Sequence, residues 1–144
     1  MKKLILVTKK IKKFNHKITV DGDKSLSIRF ALLASQASGK STAYNLLRSD
    51  DVNSTLNCLK KLGVKIKFKN NCCEIHGNGI NSFKYKRNLV LNFGNSGTLG
   101  RLLLALLIRS PYKIKLIGDQ SLSKRDFSRV ILPLRKFGAN FYPK

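Results

Sequence analysis

Asp21-Gly22-Asp23-Lys24-Ser25-Leu26-Ser27-Ile28-Arg29, followed at once by Phe30-Ala31-Leu32-Leu33-Ala34, reads as a glycine turn that opens into a helix. Lys17 to Val20, just ahead of it, reads as a strand. The helix start carries Lys24, Ser25 and Arg29. Backbone N–H groups at a helix start have no intrahelical partner and bear partial positive charge. A lysine, an arginine and a hydroxyl beside them make a site for a phosphate or carboxylate. A capped surface helix with solvated charges fits the same residues, and this stretch alone leaves both readings open.

A second stretch repeats the pattern. Leu89-Val90-Leu91-Asn92-Phe93 reads as a strand, Gly94-Asn95-Ser96-Gly97-Thr98 as a glycine turn with capping residues, and Leu99 to Ile108 as a strongly apolar helix with Arg101 in its first turn. Arg29 and Arg101 stand 72 residues apart. The next helices correspond as well: Cys58-Leu59-Lys60-Lys61-Leu62-Gly63-Val64 is similar to Pro133-Leu134-Arg135-Lys136-Phe137-Gly138-Ala139, 75 residues on. Each carries glycine at the usual helix-terminating position. One α/β unit, used twice, explains these correspondences economically.

Gly22-Asp23-Lys24-Ser25-Leu26-Ser27-Ile28-Arg29, Ser49-Asp50-Asp51-Val52, Gly94-Asn95-Ser96-Gly97-Thr98 with Arg101, and Gly118-Asp119-Gln120-Ser121-Leu122-Ser123-Lys124-Arg125 together resemble the 5-enolpyruvylshikimate-3-phosphate synthase family, in order and in spacing. The resemblance runs from about Ile18 to the last residue and covers the first third of that family's usual length. It implies an α/β fold of repeated βαβαββ units in an inside-out barrel. Here that barrel is incomplete, with about two of its six units. Unit one falls at about 17–77 and most of unit two at about 89–142, within a partial substrate-binding domain over 16–144. Residues 1–15 resemble the first strand that the family gives to its other domain. The chain therefore reads as an N-terminal fragment whose partner is the missing C-terminal part.

The resemblance also implies a reaction. The family moves the enolpyruvyl (carboxyvinyl) group of phosphoenolpyruvate to the 5-hydroxyl of shikimate 3-phosphate, on the route to aromatic amino acids. It works by addition and elimination through a tetrahedral intermediate, with no metal and no organic cofactor. Matched by position, Lys24 resembles the catalytic lysine that touches both substrates. Ser25 and Arg29 resemble residues that hold shikimate 3-phosphate. Asn95 and Gly97 resemble the turn that approaches phosphoenolpyruvate, where a side chain in place of the glycine would intrude. Arg125 resembles a phosphoenolpyruvate-binding arginine, with Arg101 and Thr98 in support. Asp21 and Ile28 depart from the family's usual proline and polar residue. The acid–base aspartate and glutamate of the family have no counterpart in this sequence, so the chain alone is expected to be inactive. The related UDP-N-acetylglucosamine enolpyruvyl transferases are a weaker fit, because Asp23-Lys24-Ser25-x-Ser27-x-Arg29 and Ser121-Leu122-Ser123-Lys124-Arg125 suit the shikimate branch.

Composition supplies the main competing reading. The 144 residues carry 29 Lys+Arg against 7 Asp+Glu, a net charge of +22, which suggests nucleic-acid binding. The lysines are scattered over every expected element, no zinc-finger, RNP or basic-zipper pattern appears, and Phe and Tyr sit at core-like positions. No nucleic-acid partner is therefore expected; positive potential also steers anionic substrates. Cys58, Cys72 and Cys73 form neither a disulfide framework nor a metal pattern, and His16 and His76 lack partners at ligand spacing. Leu4-Ile5-Leu6-Val7 is too short for a signal peptide or a membrane span, so no membrane partner and a cytoplasmic setting are expected. Gly39-Lys40-Ser41 imitates the end of a nucleotide phosphate loop, but Ala34 stands where its first glycine belongs.

The periodicities predict strands over 4–8, 17–20, 42–47, 64–69, 72–76, 89–92, 113–117 and 139–142, and helices over 25–37, 51–62, 98–109 and 126–137. Pro133 is expected to kink the last helix or shift its start. Val64, Ile66 and Phe68 alternate with Lys65, Lys67 and Lys69, which predicts one buried and one wet sheet face. Helices are thus expected inside and sheets outside.

Overall fold

The computed structural model describes Lys13, Asn15 and residues 17–142. The strand expected over 4–8 lies outside them. Helix α1, Lys24–Gln36, begins where the Asp23 carboxylate accepts a hydrogen bond from the Leu26 N–H at 2.7 Å. It buries Ile28, Ala31, Leu32 and Ser35, a helical spacing. Strand β1, Ser38–Tyr44, follows directly and ends at Asn45, whose φ of 55° turns the chain out of the ladder. Helix α2, Asp50–Lys61, is capped by Ser49, whose hydroxyl accepts from the Val52 N–H. Asp50 and Asp51 in its first turn and Lys60 and Lys61 in its last oppose the helix dipole at both ends.

Strands β2, Lys65–Lys69, and β3, Cys72–Asn78, complete an antiparallel sheet in the order β1-β3-β2. Lys65 stands opposite His76 and Phe68 opposite Cys73. The alternation predicted for 64–69 holds: the three lysines are exposed, while Ile66 and Phe68 pack against the core. The second repeat pairs β4, Val90–Asn92, in parallel with β5, Lys115–Ile117, and places α3, Gly97–Leu106, between them. The short α4, Gln120–Ser123, and α5, Ser128–Lys136, follow. One core joins the two repeats: Ile28 and Leu32 from α1, Leu56 and Leu59 from α2, Ile75 from β3, Leu91 from β4, and Leu99 and Leu103 from α3. Each fully buried leucine among them contributes about 1.5–3 kcal/mol of transfer free energy. The helices pack on one face of the sheet: α1 lies against α2, α3 and β3, and β3 turns Cys72, Glu74 and His76 away from the core.

Several elements differ from their predicted bounds. Residues 17–20 make no strand ladder; Ile18 is 66% and Val20 73% exposed. The chain there does pass beside 45–47, since a Cβ on Gly22 would come within 2.2 Å of the Asn45 carbonyl oxygen, but the left-handed turn at Asn45 replaces backbone pairing with one side-chain bond from Asn45 Nδ2 to Val20 O. The strand predicted over 42–47 runs instead over 38–44, because Ser38 to Tyr44 form an unbroken register with Asn78 to Cys72. That pairing overrides the weak strand preference of Ser-Gly-Lys-Ser. Gly39-Lys40-Ser41 thus lies within a strand rather than in a phosphate loop.

The helix predicted over 98–109 stops at Leu106, and that over 126–137 starts at Ser128, where the Asp126 carboxylate accepts from the Ser128 N–H at 2.7 Å. Pro133 lies inside α5 without ending it; Arg129 and Pro133 are both exposed, where a lost helical bond costs less than in a core. Residues 139–142 form no strand: the Ala139 N–H bonds back to Leu134 O as part of the α5 terminus. Among the described residues no helix is long and apolar enough to cross a membrane.

Candidate functional site

Four helix starts are tied together through their first turns. Lys24 of α1 reaches Asp51 of α2 (Nζ to Oδ2, 3.0 Å). On α2, Ser54 backs the turn before α3, since a Cβ on Gly94 would stand 3.0 Å from its Oγ. Ser96 caps α3 by accepting from the Leu99 N–H, and Asp119 caps α4 by accepting from the Leu122 N–H at 2.7 Å. The Asp119 N–H donates to Gly94 O at 2.8 Å, which fixes the α4 turn against the α3 turn. Phe127 completes the docking: it lies so close to α3 that a Cβ on Gly100 would be 2.9 Å from its ring.

The expected α1 residues stand on consecutive turns. Ser25 and Arg29 are four apart, and so share a face of α1. Ser25 is half-buried and Arg29 exposed, whereas Ile28 is fully buried and faces the core. The Ile28 departure therefore belongs to packing rather than to the site. The helix start is capped at one amide, because the Asp23 carboxylate occupies the Leu26 N–H. Lys24, about half-exposed, is engaged by Asp51.

The second turn brings four expected residues together. An ideal Cβ on Gly97 would lie 2.8 Å from Arg101 Nη1 and 2.8 Å from Arg125 Nη1. The two nitrogens are therefore at most 5.6 Å apart, twice that distance. Two unit charges at that separation repel by about 1 kcal/mol in water and about 3 kcal/mol at an effective dielectric constant near 20. Arg101 is held by weak bonds to Gly97 O and Asp126 O, each 3.4 Å, and lies over the Phe127 ring at 5.2 Å. Arg125 Nη2 donates to Asn95 Oδ1, and Asn95 Nδ2 donates to Asp119 Oδ2 at 2.6 Å. Thr98 is half-buried in the first turn of α3. Chemically, the turn offers two guanidinium groups beside a helix start with only glycine beneath them. That arrangement suits an anion with several oxygens.

The carboxylates nearby are held ionised. The Leu122 N–H, and after it the Asn95 amide, keep Asp119 below the usual carboxylate range; the Ser128 hydroxyl and N–H do the same for Asp126. Sequence reasoning missed Asp119 as part of the site. Its signal was local, an aspartate three residues before a buried leucine, which marks a helix cap, but nothing in the spacing links it to Asn95. Away from the site, Cys58 is core: burial pushes its thiol up to about 11, and its Sγ donates to Asn92 O at 3.3 Å.

Residues 8–143 match the family model for EPSP synthase (3-phosphoshikimate 1-carboxyvinyltransferase). The chain is 42% identical over 123 residues to a 3-phosphoshikimate 1-carboxyvinyltransferase of Lactococcus lactis, covering 85% of this chain and 28% of that protein. It is 41% identical over 121 residues to one of Streptococcus mutans, with 84% and 28% covered. Two solved structures of EPSP synthase from Acinetobacter baumannii superpose with TM-scores of 0.79 and 0.82 at 38% and 37% identity, over 87% and 90% of this chain and 28% and 29% of theirs. The α/β fold is thus that of EPSP synthase structures over part of their length, and the chain spans little more than a quarter of the relatives it matches. With most of its residues inside the family model and its fold shared, the chain belongs to the EPSP synthase (3-phosphoshikimate 1-carboxyvinyltransferase) family.

Proposed function

We propose that this chain carries one half-site of an enolpyruvyl transferase that moves the carboxyvinyl group of phosphoenolpyruvate to shikimate 3-phosphate in the shikimate pathway. The observation that supports it most is the pair of guanidinium groups drawn together above Gly97. Such a pair is unfavourable alone and is relieved by an oxyanion between its members. In this reading Asn95, Gly97 and Arg125 take phosphoenolpyruvate, Arg101 and Thr98 support them, Ser25 and Arg29 take shikimate 3-phosphate, and Lys24 reaches both. The 5-hydroxyl gives its proton to a base as its oxygen adds to the phosphate-bearing carbon of phosphoenolpyruvate, and the methylene carbon takes a proton from an acid to become a methyl group. The tetrahedral adduct then loses phosphate as the methyl group gives a proton back to a base, which restores the double bond. Cations that hold two anionic substrates side by side supply orientation and neutralise repulsion.

Residues 16–144 act here as part of the substrate-binding domain, and acid–base groups come from the C-terminal part that the longer relatives possess. No cofactor, nucleic acid or membrane enters the reaction. The setting is cytoplasmic, which suits the free thiols Cys58, Cys72 and Cys73. The test is titration calorimetry with shikimate 3-phosphate. Weak binding that falls with salt is expected, and Arg29→Ala lowers affinity about 10-fold or more, since one charge-assisted contact is worth about 1.5–3 kcal/mol. Unchanged affinity in Arg29→Ala, or duplex DNA bound more tightly than either substrate at physiological salt, overturns the assignment.

A further inference from the structure

We propose that Asp119 is a positioning residue for Arg125, acting through the Asn95 amide, and this inference rests on the proposed function. Asp119 is anchored at three points: its N–H to Gly94 O at 2.8 Å, one carboxylate oxygen to the Leu122 N–H at 2.7 Å, and the other to Asn95 Nδ2 at 2.6 Å. An ionised carboxylate only accepts hydrogen bonds. The Asn95 side chain must therefore present its NH2 to Asp119, which leaves its carbonyl oxygen to face the other way. There Arg125 Nη2 donates to it. A guanidinium has five donors and no acceptor, so a reversed amide would set donor against donor. The carboxylate thus fixes the polarity of the amide, and the amide fixes the arginine. The result is a guanidinium held above Gly97 before any ligand arrives, against the repulsion of Arg101. Sequence places these residues 24 and 30 positions from Asn95, and only the docking of the α4 turn on the α3 turn joins them.

The same proton inventory defines a rescue. In Asp119→Asn the new side chain still caps α4 through its oxygen, because Asn and Asp cap equally well. Its NH2 now faces Asn95, turns that amide over, and strips Arg125 of its acceptor. Adding Asn95→Asp restores an acceptor at both ends: the amide at position 119 donates to the carboxylate at position 95, which accepts from Arg125. The experiment measures phosphoenolpyruvate and shikimate 3-phosphate affinity of the 144-residue chain by calorimetry, alongside the Arg125 side-chain Nε–Hε resonance in ligand-free protein. Asp119→Asn is expected to shift that resonance and weaken phosphoenolpyruvate about 10-fold, with shikimate 3-phosphate unchanged; the double variant, whose new carboxylate at position 95 itself disfavours an anion, recovers the resonance. A resonance and affinity unchanged in Asp119→Asn, or a double variant whose Arg125 resonance stays where the single variant left it, overturns the proposal. A wild-type chain that binds neither substrate overturns the proposed function instead, and the Arg125 resonance then decides the positioning claim on its own.

Discussion

Replacing Gly97 by alanine should separate binding from folding. The added Cβ meets Arg101 Nη1 and Arg125 Nη1, each at 2.8 Å, below the approach that real methyl groups tolerate. Both obstacles are the far ends of long side chains, so the backbone need not move and the guanidinium groups give way. Gly97 is the first residue of α3, and alanine is favoured over glycine in helices by about 0.5–1 kcal/mol. Stability should therefore hold or rise slightly, with a melting temperature within roughly 3 °C of wild type. Binding should not survive as well. Displacing one charge-assisted contact costs about 1.5–3 kcal/mol, which is about 10- to 100-fold in phosphoenolpyruvate affinity. Calorimetry and thermal melting on the same preparation read both effects. Undiminished affinity would show that the anion does not sit between these arginines. A melting temperature lowered by many degrees would show that Gly97 serves the fold instead.

Three further outcomes are expected. The isolated chain should release no phosphate from shikimate 3-phosphate plus phosphoenolpyruvate, and turnover near that of a full-length relative refutes this. Because burial raises the Cys58 thiol to about 11 from a usual 9.0, its contribution to stability is intact below pH 9 and is lost as pH climbs through 11. Melting curves should thus show a steeper alkaline loss for wild type than for Cys58→Ala, and equal slopes reject the assignment of this thiol to the core. Exposed apolar side chains, among them Leu33 at 72% and Phe137 at 80%, should bind a hydrophobic dye in the native state; a sharply melting monomer that ignores the dye contradicts that expectation.

Much of this molecule is legible where one short segment decides its own conformation. Ser49 and the Asp50-Asp51 pair announce α2 to within a residue of its observed start, and the Lys-x-Lys-x-Lys alternation announces β2. Legibility fails where a distant partner decides. Ser38-Gly39-Lys40-Ser41 becomes a strand only because β3 offers a complete register, and Ile18 and Val20 look like strand residues yet have no ladder to join. The split between α4 and α5 turns on the side chains of Asp119, which caps α4, and Asp126, whose carboxylate accepts from the Ser128 N–H in the turn before α5. In the site, Gly97 and Arg101 share one helix turn and their proximity follows from spacing. Arg125 arrives from a loop held by Phe127 on Gly100, and Asp119 meets Asn95 across two turns. Neither meeting leaves a trace in spacing.

Under the proposed function, the Lys24–Asp51 pair makes capture of an anion at α1 a competition rather than a simple occupation. The ammonium already has a resident carboxylate at 3.0 Å, and an incoming phosphate competes with it for the lysine's donors. The resident is easily dislodged. Lys24 is half-exposed, and pairs of that kind are worth about 0–1 kcal/mol. Asp51 does not lose all electrostatic support on release, since it stands in the first turn of α2 and keeps the positive end of that helix, an interaction of about 0.3–1 kcal/mol. A doubly charged oxyanion outbids a single carboxylate for the same lysine, and the penalty of the swap is no more than about 5-fold in affinity. Until that swap the lysine is held against the first turn of α2, so the proposed site begins each encounter with its cation already tethered.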